Sequence, residues 1–335
     1  MIETLKYNSK DFESDQEIRW CPGCDDYVIL RAMQKALPEI GKKREEIVFI
    51  SGIGCSSRFP YYVESYGMHS IHGRAPAIAT GVKLANPNLS VWVITGDGDS
   101  LAIGGNHFIH LIRRNVDLNL ILFNNEIYGL TKGQFSPTSE LGLKTKSSPL
   151  GSTQEPFSAG ELALGANARF FARIAGNNPK GMTQLFIDAE KFRGTSIIEV
   201  LQNCVIFNDG VFDKFLDKEH KATAQITVEH GQKMLFGANN EFGLVLKGLK
   251  LEVATIGENG ITEADILIHD AQEEDRTMHQ MLARLQNPIV LGVIRAVEEI
   301  TFDARVSQQM EAAKANATIK DIDDLLYSGG TYEVE

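Results

Sequence analysis

The chain has 335 residues, 43% of them hydrophobic and 23% charged, which is enough apolar material for one large domain or two ordinary ones with a real core. Its net charge of −11 excludes a general nucleic-acid binder, which would carry a basic footprint. The apolar runs are strand-sized, far short of the roughly 20 residues of a membrane span, and the first residues lack a signal-peptide core. A cytoplasmic protein without a membrane segment is expected. Residues 1–19 are polar and charged and read as an arm. From 26 to 37 the apolar spacing suits an amphipathic helix. The run 46–52 reads as a strand entering the glycine-bearing loop 52–57. A helix over 74–85 closes at Asn86-Pro87. A strand over 90–95, a helix over about 101–114 and a strand over 118–123 follow. Residues 129–156 are rich in Gly, Ser, Thr and Pro, and so long a loop is usually functional. Helices near 157–165 and 180–192 then alternate with strands at 170–174 and 195–201. This alternation predicts an α/β fold, a parallel sheet with helices on both faces. After Cys204 the pattern loosens into a strand or two, a helix near 276–286 and an acidic tail. The expected division is an arm at 1–19, a principal domain at 20–204 and a smaller C-terminal extension at 205–335.

Two of these strands release a polar motif at their carboxyl ends: Gly96-Asp97-Gly98 after one, Asn124-Asn125 after the other. Open α/β sheets bind ligands at that edge. Mg²⁺ takes hard oxygen donors, usually one or two carboxylates plus phosphate oxygens. Asp97 and the amide oxygen of Asn125 meet that demand, so the pair reads as a diphosphate–metal site. Gly96 and Gly98 would let the backbone approach the diphosphate closely. Gly-Asp-Gly alone is common in turns; a strand before each half is what makes the pair specific. His72, ahead of the helix that begins near Arg74, is placed to donate to a diphosphate oxygen, whereas His69 reads as a surface or cap histidine. Arg58, Arg74 and Lys132 are candidate anion binders. Most such residues only solvate a face. Lys132 is the best placed of the three, just past the second metal strand.

The cysteines are Cys21, Cys24, Cys55 and Cys204. In a reducing compartment a metal or catalytic role is the better reading than disulfides. A buried apolar thiol fits Cys204 best and the Cys21-Pro22-Gly23-Cys24 pair worst. A redox dithiol is one alternative for the pair, but it normally lies between a strand and a helix of a small domain. Structural zinc is another, although it usually shows two paired motifs. One close pair and two remote single cysteines suit a [4Fe–4S] cluster, which takes four thiolates.

With these motifs in order, the chain resembles the β subunit of 2-oxoacid:ferredoxin oxidoreductases, most closely the 2-oxoglutarate type. The carriers are Trp20-Cys21-Pro22-Gly23-Cys24, Gly52-Ile53-Gly54-Cys55-Ser56, His72-Gly73-Arg74-Ala75, the segment 79–87, Gly96-Asp97-Gly98-Asp99 and the run from Asn124 to Gln134. The likeness covers about Arg19 to Cys204 and is looser beyond. Where the family usually has Gly after the second cysteine, this chain has Asp25, a carboxylate that would lower the potential of a nearby cluster or alter docking. The resemblance implies thiamine diphosphate, with Mg²⁺ held by Asp97, Asn125 and the main-chain carbonyl of Ile127. It implies cofactor contacts from Ile53, Gly54, Cys55, Ser56, Gly98, Asp99, Gly129 and Leu130, and one [4Fe–4S] cluster on Cys21, Cys24, Cys55 and Cys204. The implied reaction is oxidative decarboxylation of a 2-oxoacid with coenzyme A as co-substrate and ferredoxin as electron acceptor. The substrate would be 2-oxoglutarate, giving succinyl-CoA, with pyruvate or a branched-chain 2-oxoacid as the alternative. An α subunit would carry the pyrimidine half of the cofactor site in an (αβ)2 heterotetramer, and this chain would be inactive by itself. Lys132 would then meet the distal carboxylate of 2-oxoglutarate, and Leu130 would set the pocket's width. The rival classes are a non-redox decarboxylase subunit, which would be colourless, and a zinc-stabilised binding module, which would hold zinc without iron.

Overall fold

The computed structural model describes residues 7–330 and 332–334, so the first six residues of the expected arm lie outside it. The remainder of that arm is anchored. Phe12 is fully buried, and Arg31 pairs with Glu13 at 2.5 Å. One apolar anchor among polar neighbours leaves no periodicity for a sequence to show.

The chain then runs through α1 (Asp26–Ile40), β1 (Ile47–Ser51), β2 (Tyr66–His69), α2 (Ala75–Ala85), β3 (Ser90–Gly96), α3 (Asp97–Leu101), α4 (Gly105–Arg114) and β4 (Asn119–Asn124). A short hairpin of β5 (Ile127–Tyr128) and β6 (Gln134–Phe135) opens the long loop. Next come α5 (Ala159–Gly165), β7 (Phe170–Ala175), α6 (Pro179–Lys191) and β8 (Ser196–Leu201). The C-terminal third holds α7 (Asp213–Leu216), α8 (Lys221–Ala224), β9 (Gln225–Val228), β10 (Leu235–Phe236), β11 (Phe242–Lys247), β12 (Lys250–Thr255), α9 (Thr277–Arg284), β13 (Ile289–Ala296), α10 (Phe302–Ala315) and α11 (Ile322–Tyr327).

The main sheet has eight strands in the order β2-β1-β3-β4-β8-β7-β13-β9. Only the β13–β7 pair is antiparallel. Its strands are apolar on both sides because both faces are covered. In β3, Trp92 and Ile94 face a core shared with α1 and α6, while Val91 and Val93 face one shared with α2, α4 and α5. Among the described residues, no helix is long and apolar enough to cross a membrane.

Three features depart from the expected elements. The helix expected over about 101–114 begins only at Gly105, parted from α3 by a turn that ends at Gly104. A Cβ there would overlap the Asp99 carbonyl and the Gly73 backbone, so the break is what lets loop 70–74 reach α3. Strand β2 is a four-residue edge strand exposed along its length, with no burial alternation to reveal it. The segment 205–335 supplies β9 and β13 to the main sheet as well as the separate three-stranded sheet β10–β12.

Candidate cofactor and cluster site

The carboxyl ends of β1, β3 and β4 meet around a cavity of about 510 Å³. Its wall brings together Ile53, Gly54, Cys55, Ser56, His72, Gly96, Asp97, Gly98, Asp99, Asn125, Ile127, Gly129 and Leu130. Two glycines are needed for the shape. A Cβ on Gly98 would overlap the Tyr128 ring, and one on Gly52 would overlap the Asp99 carboxylate.

Asp97 is 3% exposed and forms no ion pair among the described residues. Its Oδ2 accepts hydrogen bonds from Ser136 Oγ at 2.5 Å and Thr138 Oγ1 at 2.7 Å. Burial raises its pKa above the ordinary carboxylate value, and those two hydroxyls oppose the shift. A buried carboxylate with neutral partners, in one wall with the Asn125 amide and the Ile127 main chain, offers hard-oxygen donors of the kind Mg²⁺ takes. Asn125 lies opposite; its Oδ1 accepts from the Ile127 N–H at 3.2 Å. The neighbouring Asn124 is locked from behind. Its Nδ2 donates to Glu199 Oε1 at 2.9 Å, and Glu199 pairs with Arg173 at 2.7 Å with both side chains buried. Asp99 organises the loops. Its carboxylate accepts from the N–H groups of Ile53 (3.1 Å) and Gly73 (2.8 Å) and from Thr95 Oγ1 (2.8 Å). This ties the cysteine-bearing loop to the His72 loop across the cavity floor.

A second cavity of about 190 Å³ is lined by Cys21, Cys24, Cys55 and Cys204 together. All four are free thiols. Burial, then the Asp26 carboxylate, pushes Cys55 up to about 12 and shifts Cys24 upward as well. A neighbouring cation or metal shifts such thiols back toward the thiolate. Asp26 is itself pushed up to about 7, by burial first and then by Asp25. Asp25 accepts the Asn203 N–H at 2.9 Å and so ties the start of α1 to the residue before Cys204. The two cavities share Asp26, Cys55, Asn125, Gly129 and Leu130 as common wall. A Cβ on Gly129 would stand 3.4 Å from the Cys204 sulfur and 3.8 Å from that of Cys55. Among the described residues, no three His, Cys, Asp or Glu side chains converge on one point as ligands of a single ion would. Neither expected group needs that: the Mg²⁺ site uses one carboxylate, and the thiolates of a four-iron cluster bind four different irons.

A third recess, of about 490 Å³, adjoins the first through Ile53, Gly54 and Leu130 and is lined also by Arg19, Arg58, Tyr61 and His69. Arg58 has no ion-pair partner among the described residues. Lys132 lines the cysteine cavity and neither of the other two. Its backbone is left-handed, φ 76°, and the next residue is Gly133 with φ 96°, so the two form the turn that carries the chain from β5 back to β6. Arg74 donates to the carbonyls of His72 and Ile103 and serves as a loop tie. Tyr128, Thr131 and Gln134 in the cofactor-cavity wall, Ser136 and Thr138 behind it, and Gln202 in the cysteine-cavity wall are not singled out by the sequence. A run of hydroxyl residues in a long loop was the available signal for Ser136 and Thr138.

The C-terminal TPP-binding domain of thiamine pyrophosphate enzymes matches residues 52–200, the segment that builds the first cavity. This sets the class to which the fold and site belong. Over 97% of this chain and 88% of the relative's length, the sequence is 52% identical to 2-oxoglutarate oxidoreductase subunit KorB of Mycobacterium tuberculosis. It is 44% identical to 2-oxoglutarate synthase subunit KorB of Archaeoglobus fulgidus over 55% of this chain and 69% of that one. A solved 2-oxoglutarate:ferredoxin oxidoreductase from Magnetococcus marinus, with 2-oxoglutarate, coenzyme A and succinyl-CoA bound, matches with a TM-score of 0.78 at 30% identity, over 98% of both chains. The chain belongs to the family of 2-oxoacid:ferredoxin oxidoreductase β subunits, as its motifs led one to expect.

Proposed function

We propose that this chain is the β subunit of a 2-oxoglutarate:ferredoxin oxidoreductase that makes succinyl-CoA and acts in the cytoplasm, where its thiols stay reduced. The observation that carries the reading is the common wall of the two cavities. Cys55, Asn125 and Gly129 each border both, so a cofactor in one and a cluster in the other would stand within a few atoms' thickness of protein. Bound thiamine diphosphate supplies the electron sink for decarboxylation. Asp97, Asn125 and the Ile127 carbonyl would hold Mg²⁺ on its diphosphate. Cys21, Cys24, Cys55 and Cys204 would hold one [4Fe–4S] cluster that passes electrons to ferredoxin. Ile53, Gly54, Ser56, His72, Gly96, Gly98, Asp99, Gly129 and Leu130 shape the pocket around the cofactor. Residues 20–204 form the cofactor-binding unit, and 205–335 brace the far edge of its sheet. An α subunit would close the open side of the cavity in an (αβ)2 assembly.

The distal carboxylate of 2-oxoglutarate needs a cation or hydrogen-bond donors, since a partly buried carboxylate left unpaired is costly. The 490 Å³ recess beyond Leu130 has room for it, whereas the 190 Å³ cavity would be filled by the cluster. We therefore favour Arg58, which borders this recess as well as the cysteine cavity, over Lys132, which borders only the latter, with Leu130 setting the width of the passage. The test is an assay of the αβ complex, wild type, Arg58→Ala and Lys132→Ala, against a panel of 2-oxoacids with a low-potential acceptor. Loss of kcat/KM by one to two decades on 2-oxoglutarate alone, roughly 1.4–2.8 kcal/mol, marks the carboxylate partner. Wild-type preference for pyruvate or a branched-chain 2-oxoacid would favour the sister activity instead.

A further inference from the structure

One buried side chain joins the two cavities. Gln202 follows β8 directly and is 1% exposed. Its Nε2 donates to the Asn203 carbonyl at 2.7 Å and to Cys24 Sγ at 3.2 Å. Its Oε1 accepts from Asn125 Nδ2 at 2.7 Å. The backbone carbonyl of Asn203 accepts only, so it fixes which end of the Gln202 amide is the donor. That leaves Oε1 facing Asn125, which in turn fixes the Asn125 amide: nitrogen toward Gln202, oxygen away from it. Both amides are thereby locked against a flip by one main-chain group.

We infer that Gln202 is a positioning residue serving both groups at once, holding the Asn125 oxygen in its metal-ligating orientation while donating an N–H to a cluster thiolate. The inference rests on the cluster and Mg²⁺ reading above. Reduction of an iron–sulfur cluster places more negative charge on its sulfurs, so an N–H donor to Cys24 stabilises the reduced form and raises the potential. Partners behind a metal ligand fix its orientation, and their loss commonly weakens metal binding by about 10–100-fold. The two roles separate by substitution. Gln202→Glu keeps an oxygen to accept from Asn125 and removes the N–H donor. Gln202→Met, of similar length, removes both.

The experiment uses the co-purified αβ complex. The cluster midpoint potential is read by a redox titration followed by electron paramagnetic resonance, and Mg²⁺–thiamine diphosphate affinity by calorimetry on cofactor-stripped protein. Gln202→Glu is expected to shift the potential negative while keeping cofactor affinity within about threefold of wild type. Gln202→Met is expected to shift the potential negative and to weaken the cofactor by about tenfold. Because the new carboxylate of Gln202→Glu itself lowers the potential, the uncharged variants decide that readout; should Gln202→Met lose its iron, Gln202→Leu replaces it, and the cofactor measurement stands without a cluster. Unmoved potentials in iron-loaded variants overturn the inference, as does equal cofactor weakening in both. Wild-type complex without iron would overturn the cluster reading itself, a different failure seen before any variant is made.

Discussion

The Arg173–Glu199 pair lies in the sheet behind the cofactor cavity, on β7 and β8, with the two side chains 5% and 4% exposed. Arg173 Nε donates to Glu199 Oε2 at 2.7 Å, and its other nitrogens reach the Val290 and Ala283 carbonyls at 3.4 Å. Glu199 Oε1 accepts from Asn124, next to Asn125 in the cofactor-cavity wall. Arg173→Met removes the only cation paired with Glu199 among the described residues and leaves a buried carboxylate uncompensated. Removing one partner of a buried pair costs about 3–5 kcal/mol. With an unfolding entropy of ~2.1 cal/mol/K per residue, a 335-residue chain should lose about 4–7 °C in Tm. Replacing both partners, Arg173→Met with Glu199→Leu, should recover much of that loss, because no charge is then stranded. The assay is differential scanning calorimetry of the two single variants and the double variant. Losses that simply add in the double variant would refute the reasoning, and so would a Tm within 1 °C of wild type for Arg173→Met, roughly the error expected from an exposed pair.

The remaining predictions concern the site and the C-terminal third. Asp97→Ala should weaken thiamine diphosphate binding at least tenfold, roughly 1.4 kcal/mol or more; unchanged affinity by calorimetry would count against the metal site. Anaerobically purified wild-type chain should be brown, with about four irons, and Cys204→Ser should bleach it; full activity without iron would sink the cluster. His279 is neutral in the fold, since Nε2 donates to the Asp270 carbonyl at 2.8 Å and Nδ1 accepts from Arg295 Nη1 at 2.8 Å. Burial lowers its pKa, as it does that of the adjacent His269. Below the ordinary value of about 6.5, the unfolded chain therefore binds a proton that the folded chain refuses, so stability is lost as pH falls and is full above that value. The advantage of wild type over His279→Gln should be constant above about pH 7 and shrink toward pH 5.5. A thermal-shift series showing the opposite slope would reject this; buried acids such as Glu190, shifted upward by burial, slope the other way but are common to both proteins.

The sequence by itself determined strands β1, β3, β4, β7 and β8, the helices that cover them and most of the cavity wall. Apolar runs such as 90–95 and 118–123 are readable because both faces of each strand are buried, and the residue after each run must emerge at the sheet edge. Asp97 and Asn125 thus declare their place without coordinates. The same logic failed where burial is not periodic. Edge strand β2 is exposed throughout, Phe12 is a lone anchor, and the Gly73–Gly104 approach breaks a helix that the spacing continues. Only the tertiary structure decided what stands behind Asp97, Asn125 and Cys24. Ser136 and Thr138 reach Asp97 from a long loop, and Gln202 reaches Cys24 across 178 positions of chain. Such hydrogen bonds depend on the register of β4 against β8 and on side-chain direction, neither of which leaves a local pattern. Lys132 shows the limit most directly. Three residues past the shared wall residue Gly129, it sits in the turn of the β5–β6 hairpin and borders the cysteine cavity, while Thr131 and Gln134 beside the turn border the cofactor cavity.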